Sequence, residues 1–175
     1  MAPNLHNSTL EHMEGEKQRK LKLNTDSCSN GDPRQSSYGG LLRDEVGSWL
    51  WGYYGYLGHC TRLEAEIWNI YRGLTIIMQQ GLSNITIEID SQNAMEMLRD
   101  GAANISPYRA IVEDAKFLIS RCQCSIQQIP KEGNHSANVL ANLNQQEHLV
   151  YLDYPPSSLL SFHIIDMVNV NSGRG

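Results

Sequence analysis

The sequence predicts an α/β (α+β) domain built on a five-stranded mixed sheet that is flanked by helices. The first indication is the alternation of apolar and polar residues in three successive runs between residues 21 and 57, which is typical of β-strands. The second is a change to a helical period after residue 60, with elements following in the order β-β-β-α-β-α-α-β-α. Three antiparallel strands followed by helical crossovers imply a mixed sheet with helices on its faces.

The three opening strands are expected over residues 21–28, 38–43 and 49–57. Turn-forming residues at 29–33 separate the first two, and Gly47 suits the positive φ of a hairpin between the second and third. The third strand is aromatic, and strict alternation predicts that its side chains divide between two faces. Trp49, Trp51 and Tyr53 are expected on one face, and Leu50, Tyr54 and Tyr56 on the other.

The longest helical pattern follows these strands. Thr61 is expected to cap its N-terminus, Glu64 three residues later completes a capping box, and Gly81 ends the helix. The apolar side chains recur at helical spacing, so they form a single stripe that we expect to face the sheet. This stripe consists of Leu63, Ile67, Ile70, Leu74 and Ile77.

The remaining elements show the same two periods. A fourth strand is expected over residues 84–89, followed by a short helix that Ser91 caps. The next helix is expected to start at the Ser-Pro pair of residues 106–107, with proline in the first helical position. A fifth strand over residues 125–129 and a final helix after Asn134 complete the domain. The third helix carries Ile111, Ala115, Leu118 and Cys122, and the last carries Val139, Leu140 and Leu143.

A length of 175 residues fits one domain with short tails. We expect a disordered N-terminal tail over residues 1–20, a folded domain over residues 21–145 and a partly helical C-terminal extension over residues 146–175. The apolar residues of this extension are expected to dock on the domain, with a partner-binding helix as the alternative. They are Leu159, Leu160, Ile164, Ile165 and Met167.

Composition excludes several classes of protein. No apolar run reaches the roughly 18–20 residues that cross a bilayer, and the N-terminus lacks the apolar core of a secretory signal. We therefore expect an intracellular monomer without membrane contact, and the compartment stays open. The four cysteines are expected to be reduced thiols, as is usual inside cells. Cys122 and Cys124 are too close together for the usual zinc pair. A net charge of −5 argues against strong non-specific binding of nucleic acid, but divalent ions can bridge acids to phosphate.

Three acids form the candidate site. Asp26 ends the first strand run, Asp90 follows the fourth, and Glu66 borders the core-facing stripe of the first helix. Taken singly, each acid has a structural explanation as a cap, a turn residue or the partner of an arginine. If the first and fourth strands are neighbours, the three carboxylates cluster, and a divalent cation would offset their repulsion. Metal-dependent phosphoryl transfer requires such a cluster.

Several motifs resemble those of the ribonuclease H superfamily, and most closely the plant ribonuclease-H-like domains related to reverse transcriptases of retroelements. The resemblance covers residues 24–144 and the ending at residues 155–166. It is carried by Asn-Thr-Asp at 24–26, by Gly-Gly-Leu-Leu-Arg-Asp at 39–44 with Gly47 and Trp49, by Leu-Glu-Ala-Glu-Ile-Trp at 63–68, by Ile-Glu-Ile-Asp-Ser at 87–91 and by Glu-Gly-Asn-His-Ser-Ala-Asn-Val-Leu-Ala at 132–141.

This resemblance implies hydrolysis of the RNA strand of RNA–DNA hybrids with two Mg²⁺ or Mn²⁺ ions. It implies that Asp26, Glu66 and Asp90 are metal ligands, with Asn138 at the position of a fourth. One ion would activate the attacking water and the other would stabilise the leaving 3′ oxygen. His135 lies close to the position at which some members carry a loop histidine that assists proton transfer. The alternative is that His135 is a surface histidine at the start of a helix. Recognition would rest on 2′-hydroxyl contacts across the minor groove.

The sequence departs from the family pattern at three places. Asn138 replaces an acid, Ser27 replaces a glycine, and residues 31–34 read Gly-Asp-Pro-Arg where Gly-Asn-Pro-Gly is usual. An amide offers a carbonyl oxygen to a cation but no charge, so the affinity for at least one ion should fall. Three functions therefore stay open: a metal-dependent ribonuclease, a binding or interaction module that no longer cleaves, and an exonuclease of the same superfamily. The three-strand opening and the segment at residues 134–141 argue against the exonuclease.

Overall fold

The computed structural model describes residues 19–30, 35–104, 106–143 and 148–160. Within these ranges, no helix is long and apolar enough to span a membrane. The predictions for the first 18 residues, for the loop at 31–34 and for Ile164, Ile165 and Met167 lie outside the described residues. The strands are β1 (Lys22–Asn30), β2 (Gln35–Arg43), β3 (Trp49–His59), β4 (Thr86–Ile89), β5 (Ser125–Gln128) and β6 (Val150–Leu152), and the helices are α1 (Arg62–Gln79), α2 (Gln92–Asp100), α3 (Arg109–Arg121) and α4 (His135–Ala141).

The strands form one mixed sheet in the order β5-β4-β1-β2-β3-β6. β1, β2 and β3 pair antiparallel as successive hairpins. β4 pairs parallel with β1, and β5 pairs parallel with β4. The predicted α/β class with a mixed sheet and flanking helices is confirmed. The sheet also makes β1 and β4 neighbours, which is the condition that the predicted acid cluster required.

The expected number of five strands is wrong, because the sheet has a sixth. β6 pairs antiparallel with β3 in the segment that the sequence assigned to a C-terminal extension. Three residues are too few to show a strand-like alternation, and the pairing depends on the free edge that β3 presents. Just after β6, the carbonyl of Asp153 accepts a hydrogen bond from Nε1 of Trp49 at 3.0 Å. Leu159 is fully buried, as the docking prediction expected, whereas Leu160 is exposed.

Helices cover both faces of the sheet. The larger apolar cluster joins β1 and β4 to α1, α2 and α3, and it includes Leu23, Leu74 and Val112. The smaller cluster joins Leu41 of β2 to Leu140 of α4 and Leu159 on the opposite face. Four of the five predicted stripe residues of α1 are fully buried, namely Ile67, Ile70, Leu74 and Ile77. The helical period therefore predicted the face of α1 that packs on the sheet.

Local capping agrees with the sequence at most helix ends. The hydroxyl of Thr61 accepts a hydrogen bond from the backbone of Glu64, and Ser91 caps α2 in the same way through Ala94. The predicted Ser-Pro start of α3 is wrong, because this helix begins at Arg109. The hydroxyl of Ser106 instead accepts from the backbone of Tyr108 and forms a turn ahead of the helix.

Two details of the strands differ from those expected. β1 continues past Asp26 to Asn30, two residues beyond the expected end at residue 28. The face assignment in β3 fails at its start, where an irregularity in the pairing with β2 breaks the alternation. Trp49 consequently packs with the cluster under α4, whereas Trp51 lies in the core under α1. All four cysteines are free thiols, as expected.

Candidate active site

The three predicted acids meet at one cleft beside the sheet. The parallel pairing of β1 with β4 ends where Asn24 faces Glu88. Asp26 and Asp90 each lie two residues beyond this pair, so the register brings both acids to the same place. Glu66 of α1 lines the same cleft. The structure therefore brings together the three carboxylates that the sequence singled out.

Asp26 occupies the most buried and most constrained position of the three. Its side chain accepts a hydrogen bond from the backbone of Ser27 at 2.8 Å and another from the Asn138 amide at 3.0 Å. Burial and, to a smaller extent, the negative charges of Asp90 and Glu66 together raise its pKa from 3.8 to about 6, although the two hydrogen bonds lower it. The cluster is therefore electrostatically strained in the absence of a positive charge.

The cation of Arg62 lies beside Glu66. Glu66 is 8% exposed, and its carboxylate accepts a hydrogen bond from Nε of Arg62 at 3.1 Å, one helical turn earlier. The Arg62 side chain is 51% exposed. This pair between an exposed guanidinium and a buried carboxylate offsets part of the cost of burying Glu66.

α4 brings the other two predicted site residues to this side of the sheet. The amide of Asn138 donates a hydrogen bond to Asp26, so Asn138 lies beside the acids. His135 is the first residue of α4, three residues before Asn138. It is half-buried and does not line the acid cleft formed by the described residues. The structure thus joins Asn138 to Asp26, whereas His135 is not among the residues that line the cleft.

A buried polar network lies directly beneath the cleft. Glu88 accepts hydrogen bonds from Lys22, Arg43 and Asn24 at 2.6, 2.8 and 3.0 Å. Although burial raises the pKa of Glu88, the bonds from Lys22 and Arg43 outweigh it and lower the pKa overall. Asn24 also donates to Asn134, which ties the segment before α4 to β1.

The sequence did not single out this network. Glu88 lies between two buried isoleucines in a strand that is covered on both sides, where an unpaired charge would be costly. This was the available signal, because a buried glutamate implies buried cations nearby. Which cations they are could not be read from the sequence, since Lys22 and Arg43 come from β1 and β2.

The donor set suits a hard divalent cation. Carboxylate and amide oxygens are the ligands that Mg²⁺ and Mn²⁺ prefer. The raised pKa of Asp26 indicates a repulsion that such an ion would relieve. Among the residues that the structure describes, no group of three His, Cys, Asp or Glu side chains stands ready to hold an ion as it is. The chemistry of these residues therefore fits a divalent cation. One oxygen of Glu66 already accepts a hydrogen bond from Arg62.

Comparison with known proteins shows the family and the fold of this chain. The reverse transcriptase-like family model matches residues 24–144. A protein of Arabidopsis thaliana named "Putative ribonuclease H protein" is 32% identical over 149 residues, which is 85% of this chain. The chain spans only 22% of the length of that relative.

Solved structures with the same fold include three of interest. Ribonuclease H1 of the archaeon Halobacterium salinarum has a TM-score of 0.64 at 24% identity and covers 70% of this chain and 95% of its own. LC11 ribonuclease H1 in complex with an RNA/DNA hybrid has a TM-score of 0.62 at 20% identity, over 69% and 93% of the two chains. The prototype foamy virus protease-reverse transcriptase has a TM-score of 0.58 at 17% identity, over 74% and 21%. The chain belongs to the reverse transcriptase-like family and has the ribonuclease H fold.

Proposed function

We propose that this protein is a metal-dependent endonuclease that hydrolyses the RNA strand of RNA–DNA hybrids. One observation carries the proposal: carboxylates from β1, from α1 and from the residue after β4 line a single cleft, and burial with like charge raises the pKa of Asp26 to about 6. Carboxylates held this close repel one another when they are ionised, and a bound divalent cation would offset this repulsion. Family membership and the ribonuclease H fold support this choice of reaction.

Two Mg²⁺ or Mn²⁺ ions are the proposed cofactors. Asp26, Glu66 and Asp90 would hold them, with the side-chain oxygen of Asn138 as a neutral fourth donor. Ions bound there would lower the pKa of an attacking water and stabilise the leaving oxygen. The chain itself fixes one oxygen of Asp26 through the backbone of Ser27, so this carboxylate is held in one orientation.

The proposed substrate would approach along the cleft next to the acids. This neighbouring cleft is lined by Thr61, Arg62, Gln92 and Asn93, and it shares Glu66 and Ser91 with the acid site. Its polar groups suit phosphate and 2′-hydroxyl groups, which identify RNA within a hybrid. Arg62 would pair with a phosphate when the strand binds, because a guanidinium forms two parallel hydrogen bonds with a phosphate.

A second function is favoured by the neutral Asn138. With an amide in the fourth position, the cluster carries one charge fewer, and Arg62 already neutralises part of the charge on Glu66. Both features lower the affinity for cations. The alternative is therefore a module that binds a hybrid or a protein partner without cleaving nucleic acid.

Cleavage of an end-labelled RNA–DNA hybrid in Mg²⁺ and in Mn²⁺ separates these functions. We expect the wild-type protein to cleave within the RNA strand and Asp26→Asn to lose this activity. Asp44→Asn is the matched control, because Oδ1 of Asp44 only accepts bonds from the backbone of Val46 and Ser48, which an asparagine oxygen also accepts. A folded wild-type protein that binds the hybrid without cleaving it in either metal would establish the module instead.

We also propose that the protein is an intracellular monomer of plant retroelement origin. The Arabidopsis relative and the likeness to a viral reverse transcriptase support this origin. Size-exclusion chromatography with light scattering tests the monomeric state, and a molar mass near 19.7 kDa is the expected result.

A further inference from the structure

The polar side chain of Asn69 lies inside the apolar core beside the acid cleft. Asn69 is 1% exposed and belongs to α1, three residues after Glu66. Its neighbours along the helix, Ile67 and Ile70, are core residues. An amide in such surroundings is costly unless its donors and its acceptor are all bonded. The position therefore needs an explanation beyond the packing of α1.

The amide of Asn69 joins α1 to three strands. Its Nδ2 donates to the carbonyl oxygen of Asp26 in β1 at 2.6 Å and to that of Gly39 in β2 at 2.9 Å. Its Oδ1 accepts from the hydroxyl of Tyr53 in β3 at 3.0 Å. Every polar atom of this side chain is thus in use, and one of its partners is the backbone of the central acid.

The surrounding chain leaves room for this contact. A Cβ atom on Gly40 would stand 2.5 Å from the Tyr53 hydroxyl oxygen, and one on Gly73 would stand 2.7 Å from it. Any side chain at either position would therefore displace the Tyr53 ring from Asn69. Two glycines on different elements preserve the space through which the hydroxyl reaches the amide.

The two strand residues that Asn69 contacts face each other across the sheet. Asp26 pairs with Gly39 in the β1–β2 register. On the other face, a Cβ atom on Gly39 would clash with the backbone of Ala141 in α4. α1, which carries Glu66, and α4, which carries Asn138, therefore both pack against the pair formed by Asp26 and Gly39.

We propose that Asn69 is a positioning residue for the acid cluster. By bonding the carbonyl of Asp26 from the helix that carries Glu66, it sets how far the two carboxylates stand from each other. Mg²⁺ demands near-ideal octahedral geometry, so it tolerates little error in the separation of its ligands. This inference rests on the proposed function, because it assigns Asn69 a role in ion binding and in cleavage in addition to its role in the core.

A pair of variants separates positioning from core stability. Asn69→Leu keeps the approximate volume but removes both bonds to the strand carbonyls. Tyr53→Phe is the matched control, because it removes a bond to the same amide but leaves the bond between Asn69 and Asp26. If Asn69→Leu does not fold, Asn69→Ala leaves room for water and takes its place. Urea unfolding measures the stability of each variant, and calorimetry measures the affinity for Mn²⁺.

We expect both variants to be less stable than the wild-type protein. Asn69→Leu should weaken Mn²⁺ binding by about tenfold or more, as changes to residues that orient metal ligands do. It should also lower kcat for hybrid cleavage more than it changes KM. Tyr53→Phe should keep the wild-type affinity and kcat.

Two outcomes would contradict the inference, and they differ from each other. If the wild-type protein binds Mn²⁺ and cleaves the hybrid, but Asn69→Leu does both equally well, Asn69 is only a core residue. If the wild-type protein itself neither binds Mn²⁺ nor cleaves, the proposed function fails and the role of Asn69 fails with it.

Discussion

The side-chain amide of Asn138 donates a hydrogen bond to Oδ2 of Asp26 at 3.0 Å, across 112 residues of sequence. This contact joins α4 to β1 at the centre of the acid cluster. It opposes the rise in the pKa of Asp26 that burial and Asp90 cause, because the amide stabilises the ionised carboxylate. Asn138 thus makes the ion-free cluster less strained, but it adds no charge that would attract a cation.

Asn138→Asp tests this trade-off. We expect the variant to bind Mn²⁺ roughly tenfold more tightly and to cleave a hybrid faster, because a fourth carboxylate raises the ligand charge. Without ions, it should be less stable than the wild-type protein, since a second charge replaces the hydrogen bond to Asp26. Calorimetry and urea unfolding in EDTA measure the two effects. Unchanged Mn²⁺ affinity would show that position 138 does not contact the ion.

The raised pKa of Asp26 predicts that stability depends on pH. Between about pH 4 and pH 6 the native state keeps the proton that the unfolded state releases, because the pKa rises from 3.8 to about 6 on folding. The contribution of Asp26 to the free energy of unfolding should therefore fall across this window, by a total of the order of 3 kcal/mol, and level off above it.

Asp26→Asn should remove this dependence, because an amide does not titrate. Urea unfolding in EDTA at pH 4, 5, 6 and 7 compares the variant with the wild-type protein. The stability of the variant relative to wild type should increase with pH and then stay constant above pH 6. A difference that is the same at every pH would refute the raised pKa.

The buried ion pair under the cleft predicts a large cost for its disruption. Glu88→Leu should destabilise the protein by about 3–5 kcal/mol, since it leaves the buried Arg43 without its anionic partner. The double variant Arg43→Met, Glu88→Leu should recover much of this loss, because neither charge then stays buried alone. Urea unfolding of the four proteins gives the double-mutant cycle. Costs that simply add would show that the pair is not coupled.

The C-terminal segment should contribute to the stability of the domain. Leu159 is fully buried under α4, so Leu159→Ala should cost about 2–5 kcal/mol through lost burial and a cavity. Leu160 is 52% exposed and is the matched neighbour. Leu160→Ala should change stability by less than about 0.5 kcal/mol. Equal effects of the two substitutions in thermal unfolding would mean that the segment does not dock as described.

Local patterns predicted the elements that depend on their own residues. The stripe of α1 and the caps at Thr61 and Ser91 were readable because helical period and capping act within a few residues. The start of α3 was misplaced, because the hydroxyl of Ser106 bonds within a turn that competes with the helix. β6 was missed because a strand of three residues forms only against the edge of β3.

The sequence by itself determined the α/β class, the order of the main elements and the residue types of the acid cluster. The tertiary structure alone decided that Asp26 and Asp90 stand two residues beyond the last pair of β1 and β4, and that Asn138 reaches Asp26. It also revealed the role of Asn69, whose three bonding partners lie on three different strands. These relationships join residues that are distant along the chain, and only strand register and helix packing fix such distances.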